Sequence, residues 1–340
     1  MYQNNFGAKP YNQYGVFSPE GAKLFAEKKA IRKAAMQVSI PMLILTAFMQ
    51  FWTIPYLFVM GFLGYSSQQA IAVMSDPAIM QVVQIVISSF AFIVPFAITV
   101  SITNNKISSI IPFGAPQKQL WLPFFLIGVG FCAFSNVATS VSGGIFESFG
   151  FEYNLPSMDD PKGIFGFFLC VLATAVTPAL VEEFACRGVI HGYLSRFGEG
   201  FAIIVTSVIF GVMHGNFTQM FFAFLVGLVL SYVRVKTGSI WICILIHFTN
   251  NFISVVLSWM SSSVPGILQT GIYLIYLCVC MVLGIVGMQM LKKFNGNFLN
   301  FKSPKSQCSE QQKYKWFFTS VPVIIFLVVY AFQSLSFLSF

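Results

Sequence analysis

A length of 340 residues would allow about two soluble domains, but composition excludes them. The hydrophobic fraction is 56% and the charged fraction 9%, where ordinary soluble chains have about 45–50% and 25%. With 40 Phe residues and a mean hydropathy of +0.77, so few charges cannot coat a water-soluble fold; disorder and a disulfide-stapled secreted module are excluded as well. What remains is an all-α, polytopic membrane helix bundle.

Residues 1–37 are polar and basic and hold no apolar core, so no cleavable signal peptide is expected at the start. Residues 1–16, rich in Tyr, Asn, Gln and Gly, are expected to be flexible. Ser18-Pro19-Glu20 then reads as a helix start: a capping hydroxyl, Pro in the first turn, and an acid at the positive end of the dipole. Beyond it Lys23, Lys28, Lys29, Arg32 and Lys33 alternate with Leu24, Phe25 and Ile31. That pattern suits either a helix lying on an anionic membrane surface or a positive anchor for the first span.

A spanning helix needs roughly 20 apolar residues, and nine segments are candidates: 38–64, 78–103, 120–142, 164–190, 200–216, 217–234, 239–260, 267–291 and 316–336. The fifth and sixth are short and nearly contiguous, forming one hairpin or including a re-entrant piece, so eight to nine transmembrane helices are expected. The organisation is a cytoplasmic segment 1–37, N-terminal spans within 38–142, a helical core 164–260 in the C-terminal half that carries the chemistry, and a C-terminal part 261–340 with a basic cytoplasmic loop 292–315. No internal repeat argues for an inverted-repeat transporter.

The net charge of +8 reports orientation. With the N-terminus inside, Lys106, Lys118, Arg196, Arg234, Lys236 and the run from Lys292 to Lys315 fall on the cytoplasmic side. Asp76, Glu147, Glu152, Asp159 and Asp160 fall on the other, with Lys162 as its only base. Basic residues dispersed in short loops do not make a nucleic-acid surface. Cys132, Cys170, Cys186, Cys243, Cys278 and Cys280 sit in apolar runs and Cys308 in a polar loop, so neither a disulfide framework nor a CxxC metal pair can be drawn.

Ionisable groups in apolar runs cost about 2.5–3.5 kcal/mol each even on the lenient insertion scale, so they mark candidate sites. They cluster in three consecutive regions: Glu182, Glu183 and Arg187; His214, preceded by Phe210; and His247 with Asn251. Glu183 and Arg187 are four apart and stack on one helix face in the favourable order, as a structural ion pair. Glu182 points elsewhere and has no partner on its own helix, and an unpartnered carboxylate in a low-dielectric site suits a general base. Pro178 leaves the Thr174 carbonyl without its helical donor and should kink the span beside the site. His247 and Asn251 share a face and could hold an oxyanion. Phe210, one turn before His214, reads as packing, and His191 as an interfacial residue near a helix C-terminus. No Ser or Cys nucleophile with an adjacent base is evident, so direct attack by water is expected. A Glu/His/His set also suits a zinc ion with an open position, assembled from three helices because HExxH is absent. At 1.5 Å per residue His247 falls about 12 Å from the basic side and His214 about 21 Å; the fifth helix must then start outside the hydrocarbon, tilt, or be re-entrant.

The ordered motifs Glu182-Glu183-x-x-x-Arg187, Phe210-x-x-x-His214 and His247-x-x-x-Asn251 resemble those of the CPBP family, the CAAX proteases and bacteriocin-processing enzymes also called the Abi family. The resemblance covers about residues 164–260; the first three and last two spans carry no matching motif. It implies an intramembrane endopeptidase that hydrolyses a peptide bond of a membrane-associated protein or peptide. Glu182 and His214 would activate water, His247 and Asn251 would support the oxyanion, and Glu183, Arg187 and Phe210 would organise the site. The family is described both as metalloprotease and as metal-independent glutamate protease, so a divalent metal such as zinc stays open. The implied partners are membrane lipid and a peptide or membrane-protein substrate. The implied setting is a prokaryotic plasma membrane, crossed several times with the N-terminus cytoplasmic and the site opening toward the cytoplasmic leaflet. The alternatives are an ion-coupled transporter, whose buried Glu and His would bind protons or substrate, and a non-catalytic immunity or scaffold protein.

Overall fold

The structure, a computed structural model, describes residues 18–103, 106–153, 161–261, 264–294 and 298–339. The N-terminal stretch expected to be flexible and the acids Asp159 and Asp160 lie outside the described residues. The chain is helical nearly throughout. Its elements are α1 (Pro19–Phe51), α2 (Thr53–Phe62), α3 (Ser67–Met74), α4 (Pro77–Ile102), α5 (Ile107–Ile110), α6 (Lys118–Ser148), α7 (Gly163–Ser195), α8 (Glu199–Val212), α9 (Phe217–Thr237), α10 (Trp241–Ser261), α11 (Gly266–Lys292), α12 (Glu310–Phe318) and α13 (Val321–Ser336). One pair of two-residue strands, Glu152–Tyr153 and Leu338–Ser339, joins the α6–α7 connection to the C-terminal end in antiparallel register.

Among the described residues seven helices are long and apolar enough to cross a membrane, and α12 with α13, bent by 68°, makes an eighth if the pair is one span. These helices bury only 22–44% of their most apolar windows inside the bundle, so most of that surface faces outward, as lipid contact requires. Of the alternatives left open for the fifth and sixth segments, the structure takes the hairpin, so the count is eight at most among the described residues. There α8 has only 14 residues, about 21 Å of helix, too short for a hydrocarbon core of about 30 Å. It packs against α9 as a hairpin.

The Ser18 hydroxyl caps α1 by accepting from the Gly21 amide at 3.0 Å. The basic segment is not a separate surface helix. It runs without a break into the first span as 33 continuous residues, about 50 Å, which fits the anchor.

Chain direction brings the starts and ends of alternate helices to one pole, and contacts confirm it. Lys302 N donates to Glu199 Oε2 at 2.8 Å, Lys313 Nζ to the Phe197 carbonyl at 2.8 Å, Gln307 N to Glu27 Oε1 at 3.0 Å, and Trp241 Nε1 to the Phe113 carbonyl at 2.9 Å. This pole collects the basic loops; the strand pair marks the opposite, acidic pole. Between them three apolar clusters form among the described residues, one chiefly of α1, α4, α7, α8, α12 and α13, a second of α6, α9, α10 and α11, and a smaller third of α6 and α11. α6 and α11 meet backbone to backbone: a Cβ on Gly130 would stand 2.6 Å from the Gly284 Cα.

Candidate active site

The fourth span departs from α-helical winding twice, and both departures flank the acidic pair. Val171–Val176 and Phe184–Ile190 are π-helical, with Thr177–Glu183 α-helical between them. Pro178, with no N–H to give, removes the donor of the Thr174 carbonyl as the sequence predicts. The carbonyl is not left unmet: Asn251 Nδ2 donates to it at 3.0 Å. The backbone defect in one span thus seats the side chain of another, a common use of π-bulges.

Glu183 and Arg187 form the expected ion pair at 2.7 Å, both fully buried. The pair does more than its spacing told. The same Oε1 receives His247 Nδ1 at 2.9 Å, Arg187 Nη2 reaches the Gly227 carbonyl at 3.4 Å, and the guanidinium lies 4.1 Å from the Phe210 ring centroid. Phe210 also meets His214 and His247 edge to face, at centroid distances of 5.1 and 6.0 Å. A residue read as simple packing is the spacer that sets both imidazoles around one cation–π contact.

His214 is not inside a span. α8 stops at Val212, and Met213-His214-Gly215-Asn216 turns the chain into α9. Gly215 takes φ +69, open to glycine at little cost, and Asn216 caps α9 by accepting from Gln219 N at 2.9 Å. The Gly-Asn pair after His214 is a turn and cap signal that could have placed the histidine in a loop. Its position mid-bundle, at the tip of a half-length helix, removes the depth conflict. His214 Nδ1 bonds the Phe210 carbonyl at 2.7 Å; a carbonyl only accepts, so Nδ1 carries the proton and Nε2 keeps its lone pair in the neutral ring.

Glu182, His214, His247, Asn250, Asn251 and Phe210 line one cavity of about 490 Å³, walled further by α4 and α6 through Gln84 and Asn136. Glu182 makes no hydrogen bond or ion pair among the described residues, and its Oε2 is buried without a partner. Glu183 Oε2, Arg187 Nε and Asn250 Oδ1 are unmatched as well. Two of these unmatched atoms, on Glu182 and Asn250, belong to residues of the cavity wall, and unmatched buried polar atoms at a cavity mark a site that works wet. Gln84 and Asn136 went unnoticed in the sequence, although amides in apolar spans were the available signal.

Three expectations are corrected. The cavity does not open toward the basic pole. Its wall follows α10 from His247 to Ser258 and Trp259 and reaches Cys170 near the start of α7, about 16 Å of helix running toward the acidic pole. On the basic side Leu230, Val233, Cys243 and Ile246 pack into closed core. Asn251 faces the cavity beside His247, with one of its two amide hydrogens given to the Thr174 carbonyl. His191 does not lie past the end of its helix: α7 continues to Ser195, and the imidazole is fully buried with neither nitrogen bonded among the described residues. Arg234, expected in a basic loop, is 9% exposed; its Nε bonds the Arg187 carbonyl and its Nη2 the Ile110 carbonyl at 3.2 Å.

Among the described residues no group of three or more His, Cys, Asp or Glu side chains is arranged to hold a metal, although the Nδ1 bonds of both imidazoles leave each Nε2 free. As placed, these residues do not assemble the zinc site that the sequence allowed.

Residues 164–253 match the family model described as type II CAAX prenyl endopeptidase, Rce1-like. The match covers 90 of the 340 residues, the motif-bearing core, and supports a CAAX-type intramembrane protease family for that core, within a multi-pass helix bundle. No curated protein and no solved structure matches the chain.

Proposed function

We propose, with the CAAX-protease core as premise, that the protein is an intramembrane endopeptidase that cuts a membrane-associated peptide or protein with a water activated by Glu182 and His214. The observation that carries the reading is that Glu182, His214 and His247, from three separate elements, line one cavity that also holds unmatched polar atoms. A water between Glu182 and His214 gives its proton to the carboxylate as its oxygen attacks the scissile carbonyl. The His214 lone pair at Nε2 orients that water, because Phe210 fixes the ring from the other side. The tetrahedral oxyanion then needs a donor. His247 offers Nε2–H when doubly protonated, with Glu183 behind Nδ1 as its counter-charge, and Asn251 keeps one N–H beyond the bond to Thr174. Proton return from Glu182 to the amine nitrogen breaks the C–N bond.

Glu183 and Arg187 act by positioning. Arg187 holds Glu183, Glu183 holds His247, and Phe210 separates the rings. We further propose a prokaryotic plasma-membrane protein with the basic pole in the cytoplasm, from the excess of Lys and Arg there. Substrate then reaches the site from the outer side, along the wall that ends at Trp259.

The test is Glu182→Gln in purified protein given candidate precursor peptides. Cleavage is expected to fall by about 10²–10⁴-fold, the range of a general base, with unfolding unchanged. Normal cleavage by the folded variant overturns the assigned base.

A further inference from the structure

A second cavity, of about 260 Å³, opens at the basic pole between the α5 segment, the end of α7, the start of α8 and the end of α9. Two side chains make it chemically unusual. Arg234 is 9% exposed and forms no ion pair among the described residues. Two of its N–H groups go to backbone carbonyls, of Arg187 and Ile110, which leaves three donors and a full charge uncompensated. Beside it, on the same wall, His191 is fully buried with both ring nitrogens unmatched. The one carboxylate on this wall, Glu199, is turned to the Lys302 amide at the loop. Ser108 and Ser109, both exposed, form the mouth.

A buried cation without a counter-charge costs several kcal/mol, and a buried imidazole with no partner adds to it. The economical resolution is a ligand that carries negative charge and several acceptor oxygens. The guanidinium matches the oxygen spacing of a phosphate group, and His191 contributes a further N–H at depth.

We propose that this cavity is a phosphate-binding site, held by Arg234 and His191 and entered past Ser108 from the basic pole. The ligand is either a free phosphate anion or the headgroup phosphate of a lipid in the adjoining leaflet. Through its bond to the Arg187 carbonyl, Arg234 touches the residue that holds Glu183, so an anion here braces the frame of the first cavity. The site stands whether or not the protein cleaves peptides.

The experiment uses the full chain, purified in detergent and stripped of lipid, with the unfolding midpoint followed at constant ionic strength. One arm titrates inorganic phosphate against chloride, the other phosphatidic acid against phosphatidylcholine. A saturable rise in midpoint is expected in at least one arm: with inorganic phosphate the ligand is the free anion, with phosphatidic acid alone it is the lipid. His191→Gln should weaken half-saturation about fivefold, the worth of one hydrogen bond, and Arg234→Gln should abolish the rise. Should Arg234→Gln fail to fold, Ser108→Asp decides. It places a carboxylate on the exposed wall without disturbing the buried frame, and should remove the rise by supplying the missing charge. No rise in either arm, or a rise that survives Ser108→Asp, overturns the proposal.

Discussion

The buried pair of Glu183 and Arg187 invites a double-mutant cycle. Both side chains are fully buried, 2.7 Å apart, and among the described residues they also meet His247, the Gly227 carbonyl and the Phe210 ring. Arg187→Met keeps most of the volume but leaves the Glu183 carboxylate buried with one imidazole. Glu183→Gln leaves the guanidinium against a neutral amide and an aromatic face. Each single change strands a charge and should cost about 3–5 kcal/mol of stability. If the two side chains stabilised the fold independently, the double variant would lose about 6–10 kcal/mol. Because the cost of each is the other's loneliness, the double variant Glu183→Gln/Arg187→Met should instead lose less than either single one. The assay is equilibrium unfolding in mixed micelles for the parent and all three variants. Additive losses would refute the claim that the two residues act as one electrostatic unit. Peptide cleavage measured on the same four proteins separates stability from positioning. The double variant, though folded, should stay poorly active, since His247 loses the carboxylate that orients its ring.

Three further outcomes follow from the same geometry. Cleavage should persist in 1,10-phenanthroline or EDTA, because no three-ligand group exists among the described residues; loss of activity restored by zinc would reverse that reading. Gly130→Val should destabilise by about 1–3 kcal/mol, the usual penalty of overpacking, since its Cβ would stand 2.6 Å from the Gly284 backbone; an unchanged unfolding midpoint would mean that α6 and α11 are not in such contact. Ser254→Cys, on the exposed part of the cavity wall, should react with a membrane-impermeant maleimide added to intact cells; labelling only in inverted vesicles would put the cavity mouth on the cytoplasmic side.

Composition and periodicity determined the membrane bundle, because lipid admits few ways to satisfy a backbone and about 20 apolar residues in a row admit essentially one. They also determined the i, i+4 pairing of Glu183 with Arg187 and the freed carbonyl at Thr174, both consequences of helical geometry within a single element. The half-length α8, the turn at His214 and the reach of α1 depended on where helices stop, and an apolar run does not mark its own end. Only the tertiary structure could bring the Asn251 amide to the Thr174 carbonyl, turn Phe210 into a spacer between two histidines, or bury Arg234 and His191 beside a second cavity. Such contacts join residues tens of positions apart, and helix periodicity carries no information about which faces of separate spans will meet. The direction of the cavity was decided the same way: it follows from which side of the site the core fills, a property of packing among α6, α9 and α10 and of no single segment.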